Sequence, residues 1–266
     1  MEPTSIIRTS PDIIPLRGVF VDLETSALPP RDGSNRWPGI PQFGAGYSDA
    51  DGQMHIFFMR ARIADNAHVD PKALEVNGVT EAQLRDPSLP SVKEALDATL
   101  GFIAQAPTKV LYGITPGAFD GLLLEKLCGD HGMKYPFGHR TVDLHSMARG
   151  EMERQVAQNP ELDTQLNIFT NRKNRKGEPT ADVGLSGDDV HTLAGVPLEP
   201  SPHRADNGVI WEFESAHRVI HGRQALQQFE DYPVPSYLQR QPAVAVLPAD
   251  PGLGFGMGHA EPSLVR

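Results

Sequence analysis

The stretch Gly18-Val-Phe-Val-Asp-Leu-Glu-Thr-Ser26 joins an apolar run to two closely spaced acids. The run predicts a buried strand that ends in Asp22 and Glu24. Side chains two residues apart lie on the same face of a strand, so these two carboxylates project together. Such a pair is costly to bury unless a divalent cation such as Mg²⁺ or Mn²⁺ compensates its charge. For an isolated Asp-x-Glu pair a solvated strand end is the simpler interpretation, so the rest of the chain must decide.

The composition is that of a soluble globular protein of 266 residues with a net charge of −10. Its single cysteine, Cys128, excludes an intramolecular disulfide and fits a reducing compartment. The first residues lack the basic start and apolar core of a signal peptide, and no apolar run is long enough to span a membrane. We therefore expect a cytoplasmic protein without a membrane partner.

The negative net charge opposes broad electrostatic adhesion to nucleic acid. It leaves room for an enzyme that holds a few nucleotides through metal ions and a local basic loop. The run Asn171–Lys176 is the one dense basic segment and includes Arg172 and Lys173. Contact with phosphate groups and a solvated loop tip are both open interpretations of this run.

Strand and helix patterns alternate along most of the chain. Loop-forming residues at 26–39 separate the first strand from strand candidates at 40–48 and 53–60. Ser91 and Glu94 predict a capping box that begins a helix. Apolar spacing then predicts strands and helices in turn, at Lys109–Ile114, Gly117–Cys128, Thr141–His145, Ser146–Val156, Leu185–Ala194 and Asp206–His221. This order predicts an α/β fold, a mixed sheet with helices on both faces.

Five segments, in this order, resemble motifs of the DEDDh exonuclease superfamily, which includes the proofreading subunit of bacterial replicative polymerase and ribonuclease T. The resemblance covers roughly residues 16–222. Each motif alone is weak, but the ordered set is specific. The segments are Phe20-Val-Asp-Leu-Glu-Thr-Ser26, Val76-Asn-Gly-Val-Thr-Glu81, Leu111-Tyr-Gly-Ile-Thr-Pro-Gly-Ala-Phe-Asp120, Thr141-Val-Asp-Leu144 and Pro202-His-Arg-Ala-Asp-Asn-Gly208.

The resemblance implies a ribonuclease H-like fold with a five-stranded mixed sheet and hydrolysis of phosphodiester bonds at 3′ ends by two metal ions. By position in the motifs, Asp22 would bridge two ions of Mg²⁺ or Mn²⁺. Glu24 would hold the first ion and contact the terminal 3′-hydroxyl, and Asp120 would hold the second. His203 would be the general base that takes a proton from the attacking water.

The resemblance also implies the substrate, which would be single-stranded 3′ ends of DNA or RNA, or short oligonucleotides. Backbone N–H groups of Thr25 and Ser26 would hold the terminal nucleotide, and Leu28 would wedge against a base. Phe119, the aromatic residue before Asp120, would be a further substrate contact. Relatives in this superfamily are often dimers, so a homodimer is an expected form.

The resemblance divides the chain into three parts. An N-terminal arm at 1–15 precedes an exonuclease-like domain at 16–230, within which 157–184 is a polar and basic loop or insertion. The tail at 231–266 contains several Pro and Gly residues and little periodicity, so we expect it to be poorly ordered.

One motif departs from the family pattern. The family places an Asp five residues after the catalytic His, and that position is Gly208 here. The two-ion site would then be one ligand short, which predicts weak metal binding or loss of activity. The alternative function is therefore an impaired exonuclease-like protein that binds nucleic-acid ends or serves as an accessory subunit. If the exonuclease hypothesis holds, a Gly208→Asp substitution should raise activity in Mg²⁺.

Two histidines on the last predicted helix have a spacing that zinc ligands use. His217 and His221 are four residues apart, but no third ligand is evident. We expect both side chains to face solvent.

Overall fold

A computed structural model describes residues 4–31, 33–166, 178 and 185–239. Its centre is a six-stranded sheet in the spatial order β1-β4-β3-β2-β5-β6. The strands are β1 Thr4–Ile7, β2 Val19–Glu24, β3 Gln42–Ser48, β4 Met54–Arg60, β5 Leu111–Gly113 and β6 Thr141–Asp143. The first four strands pair antiparallel, whereas β5 runs parallel to β2 and β6 parallel to β5. The predicted α/β fold with a mixed sheet is confirmed.

The sheet has one strand more than the five expected. Residues Thr4–Ile7, within the predicted N-terminal arm, pair antiparallel with β4 and form the edge of the sheet. Three of these four residues are exposed and the fourth is half-buried. The segment therefore lacks the alternation of apolar and polar residues by which a half-buried strand is recognised.

Helices cover both faces of the sheet. They are α1 Pro71–Val76, α2 Glu81–Leu84, α3 Val92–Gln105, α4 Asp120–Asp130, α5 Leu144–Gln158, α6 Glu161–Leu166, α7 Gly187–Leu193 and α8 Ala205–His221. Residues of α3 and α4 share one core with Val19, Val21 and Leu23 of β2. Phe20, on the opposite face of β2, packs in a second core with residues of α5, α7 and α8. The alternation along β2 therefore places Asp22 and Glu24 on the α8 face.

Helix α8 lies directly on β3 because two glycines remove side chains from the contact. A Cβ added to Gly44 would lie 2.1 Å from the carbonyl oxygen of Ala205. A Cβ added to Gly46 would lie 2.6 Å from a methyl carbon of Val209. This close approach brings the first turns of α8 down onto β3 and the neighbouring β2, which carries the two acids.

The far end of α8 is fixed by a fully buried ion pair. Arg218 Nε donates to Glu214 Oε1 at 2.6 Å, and both side chains are completely inaccessible. The other oxygen of Glu214 accepts the N–H groups of Ala225 at 3.1 Å and Leu226 at 2.8 Å. These bonds satisfy the buried charge and attach the chain after α8 to the helix.

Parts of the two segments expected to lack structure have regular structure or are packed. The predicted loop at 157–184 begins with the end of α5 and contains α6, which has no buried residue, and its residues 167–177 and 179–184 lie outside the described part of the chain. In the predicted tail, the hydroxyl of Tyr237 donates to the Leu193 carbonyl at 2.8 Å, and Leu238 is buried. Residues 240–266 lie outside the described part. None of the described helices has the length and apolar character needed to cross a bilayer.

Candidate active site

The carboxylates of β2 lie at the boundary between the core and solvent. Asp22 and Glu24 are both half-buried, so a ligand can reach them. Burial, with the charges of Asp120 and Glu24, raises the pKa of Asp22 well above its usual value. Burial, with the charges of Glu199 and Asp120, raises the pKa of Glu24 to about 8. The pair is thus poorly compensated by the protein itself.

Asp120 joins this pair from a distant part of the sequence. It is the first residue of α4, and its Oδ1 accepts the backbone N–H of Leu23 at 2.9 Å. The two residues are 97 positions apart, and the bond falls between Asp22 and Glu24 on the chain. Asp120 is only 5% exposed, and burial raises its pKa to about 7 although hydrogen bonds from backbone N–H groups oppose the shift.

His203 reaches the same cluster from the loop before α8. One oxygen or nitrogen atom of each of Glu24, Glu199 and His203 lies within 4.8 Å of the others. His203 Nδ1 lies 3.6 Å from Glu199 Oε2, and its backbone N–H donates to the Val76 carbonyl at 3.2 Å. The structure therefore brings the imidazole beside Glu24, with Glu199 facing one of its ring nitrogens.

Gly208 faces Asp22. A Cβ added to Gly208 would lie 2.4 Å from Asp22 Oδ2 and 2.6 Å from its Cγ. The position expected from the third motif therefore does point at the acid pair. The same contact opposes the expectation that Gly208→Asp raises activity, because any side chain there displaces Asp22. Asp206 is engaged elsewhere, in an ion pair with Arg204 at 2.8 Å.

Two further acids of the cluster were not predicted from the sequence. Glu199 precedes His203 in an irregular segment, where spacing carries no information about contacts. Glu212 lies one helical turn after Gly208 and is 7% exposed. Its Oε1 accepts the N–H of Ile114 at 3.0 Å, while its Oε2 has no hydrogen-bond partner among the described residues. The spacing of four residues within α8 was the signal that could have identified Glu212.

The loop after β2 is held by hydrogen bonds that occupy Ser26. Its N–H donates to the Gly39 carbonyl at 2.9 Å, and its hydroxyl donates to the His68 carbonyl at 2.6 Å. Ser26 is also fully buried, so its N–H does not point into a cleft as expected. The geometry instead gives Ser26 a role in shaping the loop.

Thr25 is tied to the segment after α1. Asn77 Nδ2 donates to the Thr25 carbonyl at 3.1 Å in a buried bond. Because the carbonyl of the preceding Val76 accepts the His203 N–H, one short segment contacts both the residue after β2 and the loop that carries His203. The sequence alone had given Asn77 no role.

Leu28 and two arginines line a shallow pocket just after the acid pair in sequence. Leu28 is 75% exposed, which is unusual for a large apolar side chain and suits a contact with a base. The pocket is lined by Leu28, Pro30, Arg31, Ser34, Arg36 and His68. Arg36 Nη2 lies 3.2 Å from His68 Nδ1.

The remaining predicted residues fall into three groups. Phe119 is half-buried and packs against the core beside α4, directly before Asp120. Arg172 and Lys173 lie outside the described residues. The expectation that His217 faces solvent is wrong, because its ring is completely buried and its Nδ1 lies 2.8 Å from the Arg223 carbonyl.

The cluster has the composition of a divalent-cation site. Five carboxylates, those of Asp22, Glu24, Asp120, Glu199 and Glu212, lie near the carboxyl-terminal ends of β2 and β5, and none forms an ion pair with a Lys or Arg of the described chain. Carboxylate oxygens are the ligands that Mg²⁺ and Mn²⁺ prefer. Burial and the neighbouring acids raise the pKa of Asp22 and of Glu212, and Oε2 of Glu212 has no hydrogen-bond partner in the described chain.

No protein-family model matches the chain, and no curated protein matches it. Among solved structures the chain has the fold of a class of exonucleases, which confirms the predicted ribonuclease H-like architecture. E. coli exonuclease I, solved with a 5cy-dT13 oligonucleotide, is 18% identical with a TM-score of 0.53, over 87% of this chain and 43% of that one. A second exonuclease I structure is 18% identical with a TM-score of 0.54, over 78% of this chain and 41% of that one. A zinc-bound complex of the E. coli enzyme with single-stranded DNA is 15% identical with a TM-score of 0.50, over 84% of this chain and 42% of that one.

The chain thus spans less than half the length of exonuclease I. At these sequence identities the likeness establishes the fold alone.

Proposed function

We propose that the chain is a metal-dependent 3′→5′ exonuclease that hydrolyses phosphodiester bonds at single-stranded 3′ ends of DNA or RNA, or in short oligonucleotides. The observation that carries this proposal is the bond from the Leu23 N–H to Asp120 Oδ1. It supports a single site for three acids that the sequence holds far apart. The fold shared with exonuclease I, whose structures contain single-stranded oligonucleotides, supports the same class of substrate.

Asp22, Glu24 and Asp120 are proposed to hold two divalent cations, Mg²⁺ or Mn²⁺. Bound there, the cations would supply Lewis-acid stabilisation of the phosphate and a water of lowered pKa. Asp22, between the other two acids, suits the position shared by both ions. Its partial exposure leaves the site open on the side from which a phosphodiester would enter.

His203 is proposed as the general base. Its ring lies next to Glu24, and its side chain is 41% exposed, so it can contact both a bound water and solvent. Glu199 lies 3.6 Å from Nδ1 and favours the orientation in which Nε2 is free to take a proton.

The substrate end is proposed to lie over the loop after β2. Leu28 offers an exposed apolar surface for a base, and Arg31 and Arg36 in the same pocket offer charge for phosphate groups. Thr25, Phe119, Arg172 and Lys173 are kept as proposed substrate contacts. A homodimer also remains a prediction.

The direct test is digestion of single-stranded oligonucleotides labelled at the 5′ or the 3′ end, with Mg²⁺ or Mn²⁺. We expect the 5′-labelled strand to give a ladder that shortens from the 3′ end, and Asp22→Asn to abolish it. Asp97→Asn, which removes an exposed acid of α3, is the matched control and should leave the ladder unchanged.

Three outcomes separate the hypotheses. Shortening from the 5′ end would contradict the proposed polarity. Binding of 3′ ends without cleavage in either metal would favour the impaired relative or accessory subunit. Cleavage that persists in Asp22→Asn would place the chemistry elsewhere.

A further inference from the structure

We propose that Glu212 is the fourth carboxylate of the metal site, in the place that the family pattern gives to an acid at position 208. This inference rests on the proposed function, because it assigns a ligand within the same site. Glu212 would then supply the carboxylate that position 208 lacks.

Helix geometry puts Glu212 on the correct face. Residues four apart on an α-helix lie on the same side, one above the other. Gly208 touches Asp22, so the next turn of α8 faces the same edge of the sheet. In an α-helix the Cα–Cβ bonds tilt towards the N-terminus, so a side chain at 212 extends back towards the turn that contains Gly208.

The side chain is held in place by one oxygen only. Oε1 of Glu212 accepts the Ile114 N–H at 3.0 Å, at the end of β5. Oε2 lies 3.1 Å from the position that a Cβ on Gly113 would take, so the glycine gives this oxygen its room. The residue is 93% buried in accessible surface, and Oε2 is without a hydrogen-bond partner in the described chain.

A buried carboxylate oxygen with no partner is costly, so its presence calls for a ligand. The ionisable groups that act on Glu212 are all acidic: burial and the charges of Asp120, Glu199 and Asp143 raise its pKa, and Glu212 in turn raises the pKa of Asp22. These neighbours repel the carboxylate and offer it no hydrogen-bond donor. A cation shared with Asp22 or Asp120 would satisfy the oxygen and relieve the repulsion.

The test is Mn²⁺ binding to Glu212→Gln, measured by isothermal titration calorimetry and by the electron paramagnetic resonance signal of free Mn²⁺. Glutamine keeps an oxygen for the Ile114 N–H and removes only the charge. We expect binding at least about 10-fold weaker, or one ion fewer, than in the wild-type chain. Asp206→Asn removes an acid from the first turn of α8 that pairs with Arg204, and should bind Mn²⁺ like the wild type.

Thermal unfolding of the same variants separates a ligand from a structural acid. If Glu212 is a metal ligand, the Glu212→Gln substitution should raise the melting temperature of the metal-free chain. It should also reduce the increase in melting temperature that Mn²⁺ causes. A lower metal-free melting temperature with an unchanged Mn²⁺ effect would overturn the proposal.

Asp22→Asn distinguishes this inference from the proposed function. If Asp22→Asn loses Mn²⁺ binding while Glu212→Gln binds normally, the role of Glu212 is refuted and the active site stands. If Asp22→Asn also binds Mn²⁺ like the wild type, the metal site itself is wrong, and with it the exonuclease assignment.

Discussion

The backbone of Gly208 occupies the space beside the Asp22 carboxylate so closely that a Cβ would lie 2.4 Å from Oδ2. Separations below 3.0 Å are essentially absent for real Cβ atoms, so any other residue there must displace the acid. Gly208 therefore helps to hold Asp22 in place, besides standing where the family pattern has an Asp.

Gly208→Ala should weaken Mn²⁺ binding and lower exonuclease activity by about 10-fold or more, because the added methyl group turns Asp22 away from Glu24 and Asp120. Gly208→Asp should fail in the same way. The matched control is Gly101→Ala in α3, where nothing lies within 4 Å of the added Cβ. There alanine should stabilise the helix by about 0.5–1 kcal/mol and leave Mn²⁺ binding unchanged. A Gly208→Asp variant with raised activity would show that Asp22 moves freely.

Asp22→Asn should stabilise the metal-free chain while it abolishes cleavage. Asn removes a negative charge from a group surrounded by Asp120, Glu24 and Glu212. In excess chelator at pH 8.5, we expect the melting temperature to rise by roughly 2–6 °C, which corresponds to about 1–2 kcal/mol for a domain of this size. A fall in the melting temperature would indicate that the wild-type protein compensates the Asp22 charge without a metal.

Asn77→Ala should destabilise the chain by about 1–3 kcal/mol, because the buried Thr25 carbonyl loses its donor. Activity should fall further than stability explains, because Thr25 follows Glu24 directly. Chemical denaturation and oligonucleotide digestion at a temperature where the variant is fully folded measure the two effects. Asn66→Ala, at an exposed turn, is the control and should change neither. Full activity in Asn77→Ala would show that this bond does not position Glu24.

His191 should make the fold sensitive to acid. Burial lowers its pKa from 6.5 to about 4, and its Nδ1 lies 2.8 Å from the Ser215 hydroxyl. The unfolded chain binds a proton at His191 at higher pH than the folded chain does. The folding stability that depends on a neutral His191 is therefore complete above pH 6.5 and is lost as the pH falls towards 4. The loss by pH 4 is about 3 kcal/mol.

The measurement compares the free energy of unfolding of the wild type and His191→Gln between pH 7.5 and 4. Gln keeps a hydrogen bond to Ser215 and cannot titrate, so its advantage over the wild type should grow as the pH falls. Taking the difference removes the contribution of the carboxylates, which are common to both proteins. His139→Gln, at an exposed site, should follow the wild-type curve. Parallel curves for wild type and His191→Gln would contradict the burial argument.

Leu28→Ala should raise KM for oligonucleotides several-fold and leave stability within about 0.5 kcal/mol of the wild type, because the side chain is 75% exposed. Ile6→Ala removes another exposed apolar side chain, from β1 at the edge of the sheet, and should change neither quantity. An unchanged KM in Leu28→Ala would remove the loop after β2 from the substrate path.

Much of the fold was predictable because periodicity and caps are local. The β2 run, the capping box of Ser91 and the amphipathic pattern of α8 all agree with the structure. The edge strand β1 was missed because its residues face solvent, and its pairing with β4 depends on a contact some 50 residues away that leaves no local pattern.

The site was predictable only where an acid lies in a recognisable motif. Asp22, Glu24 and Asp120 come together as their motifs implied. Glu199 was missed because no regular structure relates it to His203. Glu212 was missed because it lies outside the motif, four residues after Gly208, at the next position that a helix presents on the same face.

The last element to cover the acid pair is also late in the chain. Helix α8 spans Ala205–His221 and supplies Gly208 and Glu212, and the loop before it carries His203. During synthesis on the ribosome, the strand with Asp22 emerges about 180 residues before this helix, which at ordinary elongation rates of 5–20 residues per second is an interval of roughly 10–40 s. A nascent chain therefore carries only part of the acid cluster during this interval, and under the proposed function a fragment that ends before α8 should show no exonuclease activity.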